Sequence, residues 1–581
     1  MTAKAKFAYR IRFIAGAVIL IGLVLLGRLY FIQVVHGKDF RAKAESQYVE
    51  QATNQIDRGD IYFTTKQGTH ISAATIASGY TIALDPQKLG DPNATFDALK
   101  KLIPSLDASA FLAKAAKKDQ VYVEVAEQVP SDAGDAISAL KLPGVEVLAS
   151  HWRFYPGGSL AAGTIGFLGY GADGTTLSGQ YGLERYYNDA LTHSDGGLFV
   201  NFFADLFTNI RAKFSSDTVE PGADLVTSIE PSVQQFLEED LDQYAEAWHP
   251  DTSGGIIMDP HTGAIIAMAT RPTFDPNDFK DADPESLGNP LVQHVYEFGS
   301  IVKALTMAAG LDSGAVKPST TYNDTGCITL DKKKICNYDL KARGVIPMQQ
   351  ILSQSLNVGA AWVANQMGTT TFTSYLKKYG LEDETGIDLP GEASPLVANL
   401  LSPRQVEYAT ASFGQGIAVT PVAMARALAT LANDGVVPSP HVGTELDYGG
   451  GITKTLGWSP PVRAISDETD REITQMLVTV VDTALANGKD KMPDYSIAAK
   501  TGTAQIEDPA TKQYYPDRYL HSFFGYFPAY NPKFLVFFYA VYPKGAEYAS
   551  ETWTPPFINT VHFLINYYDV PPDRSPTDAS H

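Results

Sequence analysis

Residues 296–311 constrain the fold of this chain more than any other stretch, because two polar residues, Ser300 and Lys303, stand at the start of an apolar, helix-like run. A short loop ending in Gly299 leads directly into an alanine-rich helical pattern that ends near Leu311. The pattern predicts Ser300 at a helix N-terminus, where free backbone N–H groups favour developing negative charge. Lys303 is predicted on the same helix face, because residues three apart on a helix are neighbours. A serine beside an amine that burial can neutralise is one way to activate a weak nucleophile.

Two later motifs strengthen this interpretation, since a Ser-x-x-Lys string alone arises by chance about once in a chain of this length. They follow in the order Ser355-Leu356-Asn357 and Lys500-Thr501-Gly502-Thr503. Serine acyltransferases that recognise penicillin carry three motifs of these kinds in the same order. The trio therefore predicts acyl transfer through a serine nucleophile.

Two longer stretches narrow the match. They are Ser412-Phe413-Gly414-Gln415-Gly416 with Thr420-Pro421, and Ala498-Ala499-Lys500-Thr501-Gly502-Thr503-Ala504-Gln505. Both closely resemble the class B penicillin-binding proteins, which are membrane-anchored D,D-transpeptidases of peptidoglycan synthesis. The resemblance is specific from about Leu225 to Pro543 and looser before it. It implies an α/β transpeptidase domain with helices packed on a central antiparallel sheet, as in the serine β-lactamases. Phe298 stands where the family commonly has proline, and is a candidate for altering the cleft floor.

Length and charge limit the other possibilities. A chain of 581 residues is too long for one core, so two or three domains are expected. The net charge of −20 argues against nucleic acid as a main partner, because phosphate binding needs a basic face. Since no Cys/His grouping has the spacing of a zinc site, we expect no structural metal, and no cofactor is predicted.

The N-terminus predicts a membrane anchor. Residues 1–12 carry four basic residues and no acid, and are interpreted as a cytoplasmic tail. Residues 13–35 are largely apolar and are predicted to form a single transmembrane helix, which is long enough to span a bilayer if Arg28 lies near an interface. The basic tail favours a cytoplasmic N-terminus in the cell (inner) membrane and an extracytoplasmic, periplasmic body. A cleaved signal peptide is the alternative, because Ala42-Lys43-Ala44 is a candidate cleavage site.

The rest of the chain is predicted to contain two folded domains and a tail. Residues 36–223 are interpreted as a mixed α+β pedestal of the dimerisation type, because 55–62 and 182–187 resemble pedestal segments of the family. A turn-rich break then leads into a transpeptidase domain at 224–568. The remaining residues, 569–581, are polar and contain proline, so they are expected to be disordered.

Strands are predicted at both ends of the transpeptidase domain, around a mostly helical middle that carries Ser300 and Ser355. The predicted elements are a strand at 225–229, a helix at 231–247, a hairpin at 255–268, and strands at 496–505, 523–527 and 534–542.

The resemblance implies a role for each residue of the first two motifs. Ser300 is the expected nucleophile toward a D-Ala-D-Ala carbonyl. Lys303 is the expected base, provided that burial and the charge of Lys500 lower its pKa. Ser355 is expected to relay a proton to the leaving nitrogen. Asn357 is expected to hold the Lys303 side chain and a carbonyl of the substrate.

The third motif is expected to bind substrate on a strand. By resemblance, the hydroxyls of Thr501 and Thr503, with the charge of Lys500, bind the terminal carboxylate. Gly502 is expected to let a substrate backbone approach closely. The backbone N–H groups of Ser300 and Thr503 are expected to form the oxyanion hole.

The two cysteines, Cys327 and Cys336, flank two β-like segments around a charged turn. A hairpin would bring the sulfurs together, and a disulfide would persist in an oxidising compartment. Two unpaired thiols are the alternative.

These expectations describe a peptidoglycan D,D-transpeptidase. Its expected partners are donor and acceptor stem peptides, β-lactam inhibitors and a SEDS-type glycosyltransferase in the membrane. The alternatives are a D,D-carboxypeptidase, a member of the same group that hydrolyses or senses β-lactams, and a catalytically idle scaffold of the division machinery. The pedestal and anchor argue against a β-lactamase, and the intact trio argues against an idle scaffold. Cell division and elongation (cell shape) stay open.

Overall fold

The computed structural model of the chain describes residues 58–171, 177–192 and 222–574. The predicted cytoplasmic tail and the predicted transmembrane anchor at 13–35 lie outside these residues. Within the described ranges, no helix has the length and apolar character needed to cross a membrane. The described residues divide into two compact units, a small one at 76–153 and a large one that combines 58–75 with the residues from 154 onward.

Short elements occupy the chain up to residue 192. The strands are β1 (Ile61–Thr64), β2 (His70–Leu84), β3 (Val123–Pro130), β4 (Val145–Phe154), β5 (Leu168–Tyr170) and β6 (Leu177–Gly179). The helices are α1 (Pro92–Lys100), α2 (Ala108–Ala115), α3 (Ser131–Ala139), α4 (Ala162–Ile165), α5 (Gly182–Tyr186) and α6 (Asn188–Leu191).

The small unit is an α/β lobe with its own core. The second half of β2 pairs with β3 in antiparallel fashion, and β4 also pairs with β2. Aspartates cap α1 and α2: the side chains of Asp91 and Asp107 accept hydrogen bonds from backbone N–H groups of the first turn. The core of the lobe includes Leu84, Leu99 and Phe111.

The large unit continues from residue 222 with longer elements. Its strands are β7 (Asp224–Thr227), β8 (Thr252–Met258), β9 (Ile265–Arg271), β10 (Thr321–Asp324), β11 (Cys327–Leu330), β12 (Lys333–Cys336), β13 (Gly344–Pro347), β14 (Val436–Val437), β15 (Gly443–Asp447), β16 (Thr453–Thr455), β17 (Val462–Arg463), β18 (Ala498–Glu507), β19 (Tyr514–Phe527) and β20 (Phe534–Val541). Its helices are α7 (Pro231–Trp248), α8 (Pro290–Gln293), α9 (Val302–Asp312), α10 (Met348–Ser353), α11 (Asn357–Met367), α12 (Thr369–Lys378), α13 (Gln405–Ala411), α14 (Pro421–Ala429), α15 (Asp467–Thr483), α16 (Ala549–Thr552) and α17 (Thr554–Tyr567).

A five-stranded antiparallel sheet in the order β18-β19-β20-β8-β9 organises the large unit. Its strands are aromatic and β-branched, as a sheet buried on both faces requires. One face packs on α7 and α17 through a core that includes Tyr244, Trp553 and Phe557. The other face packs on a core that includes Leu305 of α9 and Val363 of α11. The predicted arrangement of helices on a central antiparallel sheet is therefore confirmed.

The segment around Arg58 lies within the large unit. Strand β1 pairs in parallel with β7, with Ile61 opposite Leu225. Arg58 forms a buried ion pair with Glu184, in which Nε lies 2.6 Å from Oε2. These two residues come from the two segments that resemble the pedestal of the family. The predicted domain boundary at 223/224 falls just before β7, and it stays a prediction.

Two of the described C-terminal residues, Asp573 and Arg574, make polar contacts with the large unit. The side chain of Asp573 accepts a hydrogen bond of 2.7 Å from the backbone N–H of Ser496. The guanidinium of Arg574 lies 2.9 Å from the carboxylate of Asp482. Specific polar partners therefore contact these two residues, 575–581 lie outside the described residues, and the disorder expected for 569–581 stays a prediction.

Candidate active site

Ser300 lies in a short 3-10 turn, Gly299–Ile301, that runs directly into α9. Gly299 has a φ of +65°, and a Cβ built there would lie 2.6 Å from the carbonyl oxygen of Thr503. Only glycine fits this conformation and this close approach without strain. Residues 302–310 of α9 are buried, so the turn at Gly299–Ile301, here called the nucleophile turn after the predicted role of Ser300, continues directly into the core.

Lys303 is buried beside Ser300, with 1% of its surface exposed. Its Nζ lies 2.8 Å from Oγ of Ser300, 2.7 Å from the carbonyl oxygen of Ser355 and 3.1 Å from Oγ of Ser355. Burial lowers the pKa of Lys303 well below its usual value, and the neighbouring charge of Lys500 lowers it further. A neutral amine at this distance can accept the proton of the serine hydroxyl.

Ser355 lies between two lysines. Its φ of +52° is in the left-handed region, which a residue with a side chain adopts at an energetic cost. The left-handed turn ends α10 and precedes α11. Oγ of Ser355 lies 3.1 Å from Nζ of Lys303 and 3.1 Å from Nζ of Lys500.

Lys500 reaches this cluster from the sheet. It lies on β18 opposite Phe524 of β19, and its Nζ also donates to the carbonyl oxygen of Thr501 at 2.9 Å. Burial lowers the pKa of Lys500 to about 7. Hydroxyl and amine groups from α9, from the loop before α11 and from β18 therefore form one connected chain.

Asn357 begins α11, next to the loop that carries Ser355. Its Nδ2 donates to the carbonyl oxygen of Cys336 at 3.0 Å. The predicted contact with Lys303 is absent from the hydrogen bonds of the described residues. Cys336 lies directly opposite Cys327 in the hairpin of β11 and β12, and the two sulfurs are 2.14 Å apart.

The remaining motif residues follow Lys500 along β18. Thr501 and Thr503 are half-buried, and Oγ1 of Thr503 accepts a hydrogen bond of 3.1 Å from the backbone N–H of Ala549. A Cβ on Gly502 would lie 2.3 Å from Oγ of Ser522 and 2.6 Å from the carbonyl oxygen of Phe298. The missing side chain at Gly502 therefore makes room for the nucleophile turn, and the expected approach of a substrate backbone stays a prediction.

Comparison with known proteins identifies the family to which this chain belongs. The family model of the penicillin-binding protein transpeptidase domain matches residues 254–561, and that of the penicillin-binding protein dimerisation domain matches residues 54–227. The chain belongs to the penicillin-binding proteins.

Curated relatives and solved structures agree with the family. The chain is 28% identical over 565 residues to stage V sporulation protein D of Bacillus subtilis, covering 95% of this chain and 84% of the relative. It is 30% identical over 472 residues to a probable peptidoglycan D,D-transpeptidase FtsI of Caulobacter vibrioides, covering 80% and 73%. The structure of penicillin-binding protein 3 from Mycobacterium tuberculosis without ligand matches with a TM-score of 0.64 and 27% identity, covering 73% of this chain and 92% of that one.

Two polar residues that support the nucleophile turn of this penicillin-binding protein have no role in the sequence-based interpretation. Ser522 of β19 is fully buried, and its hydroxyl donates to the carbonyl oxygen of Phe298 at 2.7 Å. No local signal identifies Ser522, because its position opposite Gly502 follows from the strand register alone. Glu297 does stand beside the first motif, and an acid next to Phe298 in an otherwise apolar surrounding is a usable signal.

Phe298 itself lies in the core of this penicillin-binding protein. Its side chain is 1% exposed, and its ring centroid lies 5.3 Å from that of Phe537 of β20, in an edge-to-face contact. The ring therefore fills the space beside the sheet, and its expected effect on the cleft floor stays a prediction.

The described residues contain no group of three or more His, Cys, Asp or Glu side chains placed to hold a metal ion. The buried lysines, Lys303 and Lys500, with Ser300 and Ser355, are the chemical groups that this site offers. Such a set can activate a hydroxyl, move protons and bind an anion.

Proposed function

We propose that this penicillin-binding protein is a peptidoglycan D,D-transpeptidase that forms an acyl-enzyme on Ser300. The observation that carries the proposal is the connected chain from Oγ of Ser300 through Nζ of Lys303 and Oγ of Ser355 to Nζ of Lys500, with steps of 2.8 to 3.1 Å. Each element that such a reaction needs, a nucleophile, a base, a proton relay and a cation, is represented once in this chain.

Acylation begins at the first two residues of the chain. Oγ of Ser300 attacks the carbonyl carbon of the D-Ala-D-Ala bond, and its proton passes to the neutral Nζ of Lys303. The C–N bond breaks as the hydroxyl of Ser355 gives a proton to the leaving nitrogen and is reprotonated from Lys303. Free D-alanine leaves, and the donor peptide stays attached to Ser300 as an ester.

The second half-reaction releases the ester to an acceptor. An amine of a neighbouring stem peptide attacks the ester carbonyl and loses a proton to Lys303. The bond to Oγ of Ser300 breaks, and the hydroxyl recovers its proton. A β-lactam undergoes the first attack in the same way, but its ring nitrogen remains covalently attached after the ring opens. The adduct therefore occupies the place that the acceptor needs.

The residues of β18 bind and polarise the substrate in this proposal. Lys500, with the hydroxyls of Thr501 and Thr503, binds the terminal carboxylate, and Asn357 binds a carbonyl of the donor. The backbone N–H groups of Ser300 and Thr503 stabilise the oxyanion. The close approach of Gly299 to the carbonyl of Thr503 supports this pairing of donors. Loss of one such donor typically costs about 10²–10³ in rate.

The cellular setting belongs to the same proposal. Residues 13–35 anchor the protein in the cell membrane with its catalytic domain on the extracytoplasmic side, and a SEDS-type glycosyltransferase is its membrane partner. The pairing of Cys327 with Cys336 across the β11–β12 hairpin is compatible with a disulfide and an oxidising compartment. The overall charge of −20 is compatible with a small peptide substrate and argues against nucleic acid.

The first test is labelling of the full-length, detergent-solubilised protein with a fluorescent penicillin, beside the Ser300→Ala variant. The wild type is expected to form a stable adduct and the variant none, as read by fluorescence after denaturing electrophoresis. Equal labelling of both would overturn the assignment of Ser300.

A second assay separates transpeptidation from related reactions. The protein is incubated with a D-Ala-D-Ala peptide and an acceptor amine, and the products are identified by mass spectrometry. A cross-linked product is expected. Release of D-alanine with hydrolysed donor alone would indicate a D,D-carboxypeptidase. No turnover by a protein that binds penicillin would indicate a sensor or scaffold.

A further inference from the structure

Glu297 is a half-buried acid three residues before Ser300, and the reaction described above does not use it. Its segment runs beside the loop at 414–419. Tyr296 and Val419 exchange backbone hydrogen bonds of 2.9 and 3.1 Å, and the N–H of Gly299 donates to the carbonyl of Gly414 at 3.1 Å. The loop therefore holds the backbone that leads to the nucleophile.

The carboxylate of Glu297 adds two connections to this pair of segments. Oε1 accepts a hydrogen bond of 2.8 Å from the backbone N–H of Gly416. The hydroxyl of Tyr514 donates to the same carboxylate, at 3.1 Å from Oε1 and 2.9 Å from Oε2. Tyr514 begins β19 and pairs with Glu507 at the end of β18, the strand that carries Lys500. One carboxylate thus connects the nucleophile segment, the loop and the β18–β19 hairpin.

Opposing effects set the pKa of Glu297. Burial raises the pKa of its carboxyl to about 7, the hydrogen bonds from Tyr514 and Gly416 oppose this change, and the negative charge of Glu507 adds to it. Glu507 itself lies 3.6 Å from the ammonium of Lys512. Burial and the charge of Glu297 raise the pKa of Tyr514, so its hydroxyl keeps its proton and remains a donor.

We propose that Glu297 is a positioning residue for acylation, which in its ionised form holds the β18–β19 hairpin and the 414–419 loop against the segment that carries Ser300. This inference rests on the proposed function. A hydrogen bond to an ionised acceptor is about twice as strong as one between neutral groups, so protonation weakens both connections without breaking them. A small displacement of a reacting group is costly, up to about 10²-fold for 1 Å.

Ionisation of Glu297 acts on stability in the opposite direction. Because its pKa is raised from the usual value of 4.5 to about 7 in the fold, the folded protein binds this proton more tightly than the unfolded chain. The stability that this proton provides is present at low pH and is lost as the pH rises from about 4.5 to about 7. The charged form therefore favours the reaction while it destabilises the fold, a combination known from functional sites.

The first experiment compares the full-length wild type with Glu297→Gln, which is nearly isosteric and cannot ionise. The measurement is the second-order rate constant for acylation by a fluorescent penicillin between pH 5 and pH 9. Glu297→Gln is expected to react about tenfold more slowly above pH 8 and at nearly the wild-type rate below pH 6. The ratio of the two rates isolates Glu297, because the titrations of Lys303 and Lys500 are common to both proteins.

The second experiment measures thermal unfolding of the same two proteins. The stability of Glu297→Gln relative to the wild type is expected to increase as the pH rises from 5 to 7 and to stay constant above that. A residue that only supports the fold would lose stability and activity together. Glu246→Gln, on the exposed face of α7, is the matched control, and both of its profiles should follow the wild type.

Tyr514→Phe provides an independent variant, because it removes the hydroxyl and keeps the ring. It is expected to slow acylation at pH 8, and to add little when combined with Glu297→Gln, since both changes break the same connection. Additive effects of the two substitutions, or a rate ratio for Glu297→Gln that does not change with pH, would overturn the inference. If the wild type itself forms no adduct, the proposed function fails instead, so the two failures are distinguishable.

Discussion

Lys303 lies on helix α9 and Lys500 on strand β18, yet both amines lie 3.1 Å from the hydroxyl of Ser355. Lys303 meets Ser300 through a local spacing of three residues, which any helix would bring together. Lys500 meets Ser355 only because the sheet places β18 beside the nucleophile turn. Lys303 therefore meets Ser300 through local geometry, whereas both lysines reach the hydroxyl of Ser355 only through tertiary structure.

The two lysines also differ in their electrostatic surroundings. Burial and the charge of Lys500 together lower the pKa of Lys303 well below its usual value, whereas burial alone lowers that of Lys500 to about 7. We infer that Lys303 is the neutral base, and that Lys500 carries the charge when an anion binds. Two neighbouring amines thus take different roles, because a second positive charge in a buried site is unfavourable.

The largest expected effect comes from removing the base. Lys303→Met keeps the length of the side chain in its buried position and removes the amine. Acylation by penicillin is expected to slow by about 10³-fold, within the range typical of general-base catalysis. Stopped-flow or quenched labelling measures the rate, and the midpoint of thermal unfolding shows whether the variant folds. A folded variant that reacts within tenfold of the wild type would assign the base elsewhere.

A smaller, pH-dependent effect is expected from the loss of the positive charge of Lys500. Because the pKa of Lys500 is about 7, its charge is lost as the pH rises above that value. The dissociation constant of the first, non-covalent complex with a penicillin carboxylate is therefore expected to increase by about tenfold between pH 7 and pH 9. The methyl ester of the same penicillin is the matched control and should show little change. Equal pH dependence of acid and ester would contradict the role of Lys500 in anion binding.

The smallest expected effect comes from Ser522, which contacts both the segment before Ser300 and the strand that carries Lys500. Its hydroxyl donates to the carbonyl of Phe298 at 2.7 Å and to that of Gly502 at 3.3 Å, so it connects the nucleophile turn with β18. Ser522→Ala is expected to slow acylation by up to about tenfold with little change in penicillin affinity. Ser522→Cys keeps a weak donor of similar size and is expected to recover part of the rate. An unchanged rate in Ser522→Ala would remove this residue from the site.

Strong local patterns predicted much of the fold and the residues that the structure brings together around Ser355. The helix predicted at 231–247 and the strands predicted at 523–527 and 534–542 agree with α7, β19 and β20, because long amphipathic or apolar runs carry their period in the sequence. The register that places Ser522 opposite Gly502 carries no such signal, because any pairing that buries the same face satisfies the pattern.

Phe298 and Asn357 show that the sequence also does not determine where a single side chain points. Phe298 stands next to the nucleophile turn in the sequence, but its ring packs against Phe537 in the core. Asn357 is close to Ser355 along the chain, but its amide donates to the carbonyl of Cys336, a residue of the neighbouring hairpin. Adjacency in sequence does not determine the direction of a side chain, because the rotamer depends on what packs around it.

The sequence by itself predicted the candidate reactive groups, their order and the class of reaction, because helix spacing and motif chemistry are local properties. It also determined that a central sheet would be buried, since 523–527 and 534–542 are apolar on both faces. Only the tertiary structure decided that Ser355 lies between Lys303 and Lys500, and that a single carboxylate, Glu297, connects three segments beside the nucleophile. These arrangements depend on burial and strand register, which arise when distant parts of the chain pack together.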